Sequence, residues 1–119
     1  MVDIMEGIRL FNDGEYFASH DFFEDIWIHT NDDSKLFFQG LIQVSVGCYH
    51  LVCGNYKGSS SQFNKGVEKL NKYIPCYYGV DIEKLLTEVN VLRNLLDGKL
   101  HLNKINFDIR LLPKIQFRV

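Results

Sequence analysis

Several shortages narrow the class of this 119-residue chain before any motif is read. It has two prolines, nine glycines and no low-complexity tract, which excludes a disordered or collagen-like chain. It has no CxxC pair. Cys48, Cys53 and Cys76 stand five and twenty-three residues apart, which supports neither a thioredoxin-type motif nor a zinc ribbon. The odd count predicts reduced, mostly buried thiols in a cytosol-like compartment. Positive charge is not in excess either: 13 Lys and Arg face 15 Asp and Glu, a net charge of −2, which excludes a generally basic nucleic-acid binder. Asp3 and Glu6 stand where a secretory leader carries base, so no export signal is expected and the expected location is cytoplasmic.

What remains is the composition of one globular domain spanning residues 1–119, with 46% hydrophobic and 24% charged residues. Folding at this length buries roughly two-thirds of the unfolded chain's surface, enough for a single core. From Leu36 to Tyr56 there is no Asp, Glu, Lys or Arg, a run long enough to span a bilayer. Gln39, Gln43, Ser45, His50 and Asn55 interrupt it, and each polar side chain is costly in hydrocarbon. The expectation is a helix buried at the centre of a bundle, with no membrane partner. Charge is unevenly placed: residues 1–60 hold three basic and nine acidic side chains, residues 61–119 ten and six. Complementary packing of two solvated faces explains this. A sharper reading makes Lys104, Arg110, Lys114 and Arg118 a basic arm.

Periodicity predicts five helices. The first covers Val2–Phe11 and ends at Asn12-Asp13-Gly14; the second covers Glu15–Thr30. Asn31-Asp32-Asp33-Ser34 is a turn and N-cap for a third helix over Lys35–Cys53, closed by Gly54. Lys57-Gly58-Ser59-Ser60-Ser61 is a break and entry to a fourth helix, which buries Phe63, Val67 and Leu70 and stops at Pro75. Asp81 caps a fifth, with Leu85, Val89, Leu92 and Leu96 in register and Gly98 at its end. Then the period changes. Ile105, Phe107, Ile109 and Leu111 alternate with polar residues, as do Ile115, Phe117 and Val119 after Pro113, which is strand spacing. A lone strand is marginal, so this segment is expected as an extended tail over the bundle. It also offers an edge for a homodimer.

The third helix carries a stripe of Gly40, Gln43, Gly47, His50 and Gly54 at steps of three or four, on one face. Glycine costs a helix about 1 kcal/mol, so the seam implies close approach of another backbone. Gln43 and His50 then need partners, because an unpaired buried polar group costs about 1–3 kcal/mol. Helix two offers Tyr16, His20, Glu24 and Trp27 along one face. If the two helices are antiparallel neighbours, Tyr16, His20, Glu24, Gln43 and His50 assemble, with Trp27 alongside.

Three readings of that assembly stand open. It is a buried hydrogen-bond network that fixes helix register; a divalent-metal site with His20, Glu24 and His50 as ligands, in which a metal-bound water would hydrolyse a substrate; or a metal-free site in which Glu24 orients His20 as general base. The corresponding function is a small binding or enzymatic site between helices two and three. The alternative is a non-enzymatic scaffold or interaction module whose stripe is structural.

Phe11-Asn12-Asp13-Gly14-Glu15-Tyr16-Phe17, followed by His20, Glu24 and Trp27, resembles the opening motif of the domain-of-unknown-function family 309. Gln39-Gly40-Leu41-Ile42-Gln43, His50 and Asn55-x2-Gly58 resemble its second block, and Gly79-Val80-Asp81 a weaker third. The resemblance covers about residues 8–90 and implies an all-α bundle in which a central helix is surrounded by others. It implies no activity, but it marks Asn12, Gly14, His20, Glu24, Trp27, Gln43, His50, Asn55 and Gly58. Of these, Asn12, Trp27, Gln43 and Asn55, together with Tyr16, form the expected binding set. Ser45, Gly47 and Ser59 stand where members of the family often carry alanine, which keeps the seam small. Nine Lys against four Arg, with ten Ile and nine Asn, fits an AT-rich genome and a plastid-encoded or cyanobacterial relative.

Overall fold

A computed structural model describes residues 2–118. The expected first helix begins at Met5 rather than Val2: α1 is Met5–Asn12, where Asp3 Oδ1 accepts from the Met5 amide at 2.9 Å. It is followed by α2 (Tyr16–Ile28), α3 (Lys35–Val52) and α4 (Tyr56–Leu70). A 3-10 turn at Asn71–Tyr73 leads to Pro75 and a two-residue hairpin, β1 (Cys76–Tyr77) against β2 (Val80–Asp81). The last helix is α5 (Ile82–Leu96). The chain is mainly helical around a central α3, as the uncharged run predicts. Phe37, Phe38, Leu41, Val44, Cys48 and Leu51 of α3 are all buried, and each fully buried Phe or Leu contributes about 1.5–3 kcal/mol. No helix among the described residues is long and apolar enough to cross a membrane.

Local chemistry explains the ends of the elements. Gly14, Gly54 and Gly98 take positive φ of 81°, 81° and 74° at turns, where a Cβ would be strained. Asp81 caps α5 by accepting from the Lys84 amide at 2.9 Å. The start of α4 differs from the expected Ser-rich entry. Asn55 is the cap, accepting from the Gly58 amide at 2.9 Å, so Gly58 and Ser59 already lie in the first turn. Nor does the Ser34 side chain cap α3. Asp32 Oδ1 instead accepts from both the Ser34 amide and its hydroxyl, an Asx turn that brings the chain in.

The glycine seam belongs to α3 and α4, which make the most extensive helix contact in the molecule. A Cβ on Gly47 would lie 2.5 Å from the Phe63 ring, and one on Gly40 would lie 2.7 Å from Leu70. A Cβ on Gly66 of α4 would meet the Gly40 carbonyl at 3.2 Å. The stripe read as one polar face is therefore divided: its glycines admit α4, while Gln43 faces a groove. A serine stitches the seam: Ser59 of α4 donates to the Gly47 carbonyl at 2.8 Å. On the α2 side, Ser45 donates back to the Leu41 carbonyl of its own helix at 2.9 Å. Buried hydroxyls this close to carbonyls leave no polar group unmatched.

The tail departs from its alternation. Ile105 and Ile115 are buried, but Ile109 is 72% exposed and lies in a 3-10 turn, Ile109–Leu111. Among the described residues no strand pairs with Ile105–Leu111, so alternation alone does not make a ladder there. Beyond Pro113 the chain does pair, with β2: Phe117 bridges Val80, and the Asp81 amide donates to the Gln116 carbonyl at 2.8 Å. Val119, the last member of the alternation, lies outside the described residues. Of the cysteines, only Cys48 is buried; Cys53 and Cys76 are exposed, against the expectation of mostly buried thiols. Cys53 ends α3 and Cys76 opens the hairpin, both at the surface where helix packing stops.

Candidate functional site: a groove between α2 and α3

Helices α2 and α3 pack through small residues at one level. Ser19 donates to the Gly7 carbonyl at 3.1 Å and lies 3.4 Å from the Ser45 hydroxyl. Outside that contact the helices diverge and leave two adjoining cavities. One, about 290 Å³, is lined by His20, Glu24 and Trp27 of α2, by Gln39, Ile42, Gln43 and Val46 of α3, and by Gln62 of α4. The other, about 220 Å³ and mainly apolar, is lined by Tyr16, Phe17, His20, Val46, Tyr49 and His50. His20 and Val46 belong to both, so the two form one groove.

Two residues lining the first cavity each hold a buried polar atom without a hydrogen-bond partner. Among the described residues these atoms are the indole Nε1 of Trp27 and the Oε1 of Gln43. One is a donor and the other an acceptor, and each costs about 1–3 kcal/mol when left unpaired. The Trp27 ring is held from the other side by Lys35, whose Nζ lies 4.6 Å from the ring centroid and donates to the carbonyls of Trp27 and Thr30 at 3.0 Å each. An ammonium at the end of α2 also suits the helix's negative end.

His20 sits at the shared rim. Its Nε2 is 2.8 Å from Glu24 Oε2 and its Nδ1 is 3.2 Å from Asp21 Oδ1, so both ring nitrogens face carboxylates. In the second cavity the Phe17 ring packs on His20 and Tyr49 at 5.7 and 5.8 Å between centroids. Tyr16 lies beneath, beside Cys48. Burial, with the thiol as a further cause, pushes its phenol well above the ordinary value, and burial likewise pushes the Cys48 thiol up. Both stay protonated at any physiological pH.

The structure brings together Tyr16, His20, Glu24, Trp27, Gln43 and His50 as groove residues. It does not gather His20, Glu24 and His50 into a ligand set, and among the described residues no three His, Cys, Asp or Glu side chains converge as a metal site would require. His50 belongs to the far end of the groove, where its Nδ1 is 3.4 Å from Asn55 Nδ2. Two other expected binding residues hold the fold together. Asn55 caps α4. Asn12 clamps the tail: its Nδ2 donates to the Ile115 carbonyl at 2.9 Å and its Oδ1 accepts from the Ile115 amide at 2.7 Å. Six lining residues, Phe17, Gln39, Ile42, Val46, Tyr49 and Gln62, fall outside the expected site set. Gln39, Ile42, Val46 and Tyr49 follow the period of α3, so that face was readable. Gln62 arrives from α4 and gave no local sign.

Five helices, with α3 packed between α2 and α4 and a groove along its α2 side, define a small mainly helical protein. Residues 4–61 match the model of the family described as domain of unknown function (DUF309). This is shorter than the expected 8–90: it takes in α1, α2, α3 and the first turns of α4, and it contains every groove residue except Gln62. No curated protein matches the chain.

Proposed function

We propose that the α2–α3 groove is a binding site for a small polar molecule or a single protruding side chain, and that the protein acts as a binding module rather than a hydrolase. The carrying observation is that two residues lining one cavity, Trp27 and Gln43, each hold a buried atom without a partner, Nε1–H and Oε1. A ligand offering a neighbouring acceptor and donor, such as a carboxamide or a nucleobase edge, would satisfy both once the two side chains turn their covered atoms into the cavity. The joined cavities are near the lower end of the size range of small-molecule sites. His20 supports binding over catalysis. A carboxylate within 3.2 Å of each ring nitrogen crowds the approach of a substrate to either one. The wider groove of Phe17, Val46 and Tyr49 would take the ligand's apolar part.

Trp27 is the only tryptophan, so its indole N–H gives a single isolated ¹⁵N–¹H resonance. The labelled protein is titrated with small carboxamides, nucleobases and carboxylic acids. The proposal expects at least one of the first two classes to move the Trp27 indole signal saturably, and the Gln43→Met variant, still folded, to lose the effect. An indole signal that no class moves would overturn it.

A further inference from the structure

A further cavity lies away from this groove, between α4 and the end of α5. It measures about 540 Å³, and its lining includes Ser60, Asn64, Asn90, Arg93 and Asp97. Its centre is an arginine held in an uncommon way. Arg9, Arg110 and Arg118 each pair with a carboxylate. Arg93 instead donates from Nε to Asn64 Oδ1 at 2.9 Å and from Nη1 to Asn90 Oδ1 at 2.8 Å, and among the described residues it is in no ion pair. Neutral amides fix the direction of the guanidinium without cancelling its charge. They are also oriented by it: with each Oδ1 turned to the guanidinium, the N–H groups of Asn64 and Asn90 remain to be offered. The remaining capacity of this cleft is therefore largely that of donors around a positive centre. A cation in the last turn suits the negative end of α5, which explains an arginine here but not its orientation by side chains from two helices.

A second observation points the same way. An adjoining cavity of about 340 Å³ shares Gly98 and Leu100 with the first and is lined by Lys57 and His101. Lys57, at the start of α4, likewise has no carboxylate partner among the described residues' ion pairs. Residues 61–119 carry the chain's positive excess, ten basic against six acidic side chains. Asp97 is the one acid in the lining of either cavity.

We infer that the α4–α5 cleft binds an anionic small molecule through a carboxylate or phosphate group seated on Arg93 and the amides of Asn64 and Asn90, with the rest of the ligand running toward Lys57. A guanidinium with free N–H groups takes such oxyanions with charge-assisted hydrogen bonds. Asp97 opposes the bound charge and weakens the site. This inference is independent of the α2–α3 groove.

The full chain, ¹⁵N-labelled, is titrated at constant ionic strength with inorganic phosphate, with acetate and with chloride. The expected result is a saturable movement of the Arg93 Nε and the Asn64 and Asn90 amide signals by phosphate or acetate, and none by chloride; the two active arms separate phosphate from carboxylate recognition. Arg93→Gln should weaken binding at least about tenfold, the loss of one strong charged contact. Asp97→Asn, an exposed position, should tighten it severalfold. Equal shifts by all three salts, shifts that persist in Arg93→Gln, or an Asp97→Asn variant with unchanged affinity would overturn the inference.

Discussion

Toward α4, helix α3 presents Gly40 and Gly47, and Leu70 and Phe63 fill the space a Cβ would need. Toward the α2 groove it presents Gln39, Gln43 and Val46, and the space stays open. The two faces also differ in polar bookkeeping. On the seam, the buried Ser59 hydroxyl of α4 donates to the Gly47 carbonyl of α3. On the groove, Trp27 Nε1 and Gln43 Oε1 are buried and unmatched. Side chains on one helix thus follow two rules. Close packing and complete hydrogen bonding mark the face that stabilises the fold. Open space and unmet hydrogen bonds mark a face kept for something else.

Substitutions can break this contrast, and the largest effect belongs on the seam. Gly47→Val should destabilise by about 3 kcal/mol, because its Cβ alone would lie 2.5 Å from a fully buried Phe63 ring; a urea melt reads the loss. Ser59→Ala on the same interface should cost about 1 kcal/mol, one hydrogen bond to a buried carbonyl. Glu24→Gln at the groove rim should change stability by no more than about 0.5 kcal/mol, since its pair with His20 is half-exposed. A Glu24→Gln loss as large as the Ser59→Ala loss would erase the contrast and make the groove part of the scaffold.

Much of the fold was readable because its signals are local. The uncharged run marks α3 as the central helix, Asp81 caps α5, and Pro75 follows the helical stretch of α4 and its 3-10 turn. The existence of a glycine seam could be read from spacing, but its partner could not. A helix face has no label for which neighbour will cover it, so Gly40 and Gly47 were grouped with Gln43 although they face α4. Ile105–Leu111 failed for a related reason: alternation records which side is apolar, and a strand also needs an edge to pair with. At the site, His20, Glu24, Trp27 and Gln43 were found from i, i+4 steps. Asn12 was marked by the family motif, yet its partner, Ile115, lies 103 residues away. Gln62 and the Arg93 cleft depend on contacts between distant helices, which no periodicity carries.

The most direct test of the groove as a site is the stability of Gln43→Met, measured by denaturant unfolding beside the parent chain. Removing an acceptor that has no partner, at nearly constant volume, should leave stability unchanged or raise it by up to about 1 kcal/mol. A loss of about 1–3 kcal/mol would show that Gln43 is satisfied within the fold, and that the groove is core architecture after all.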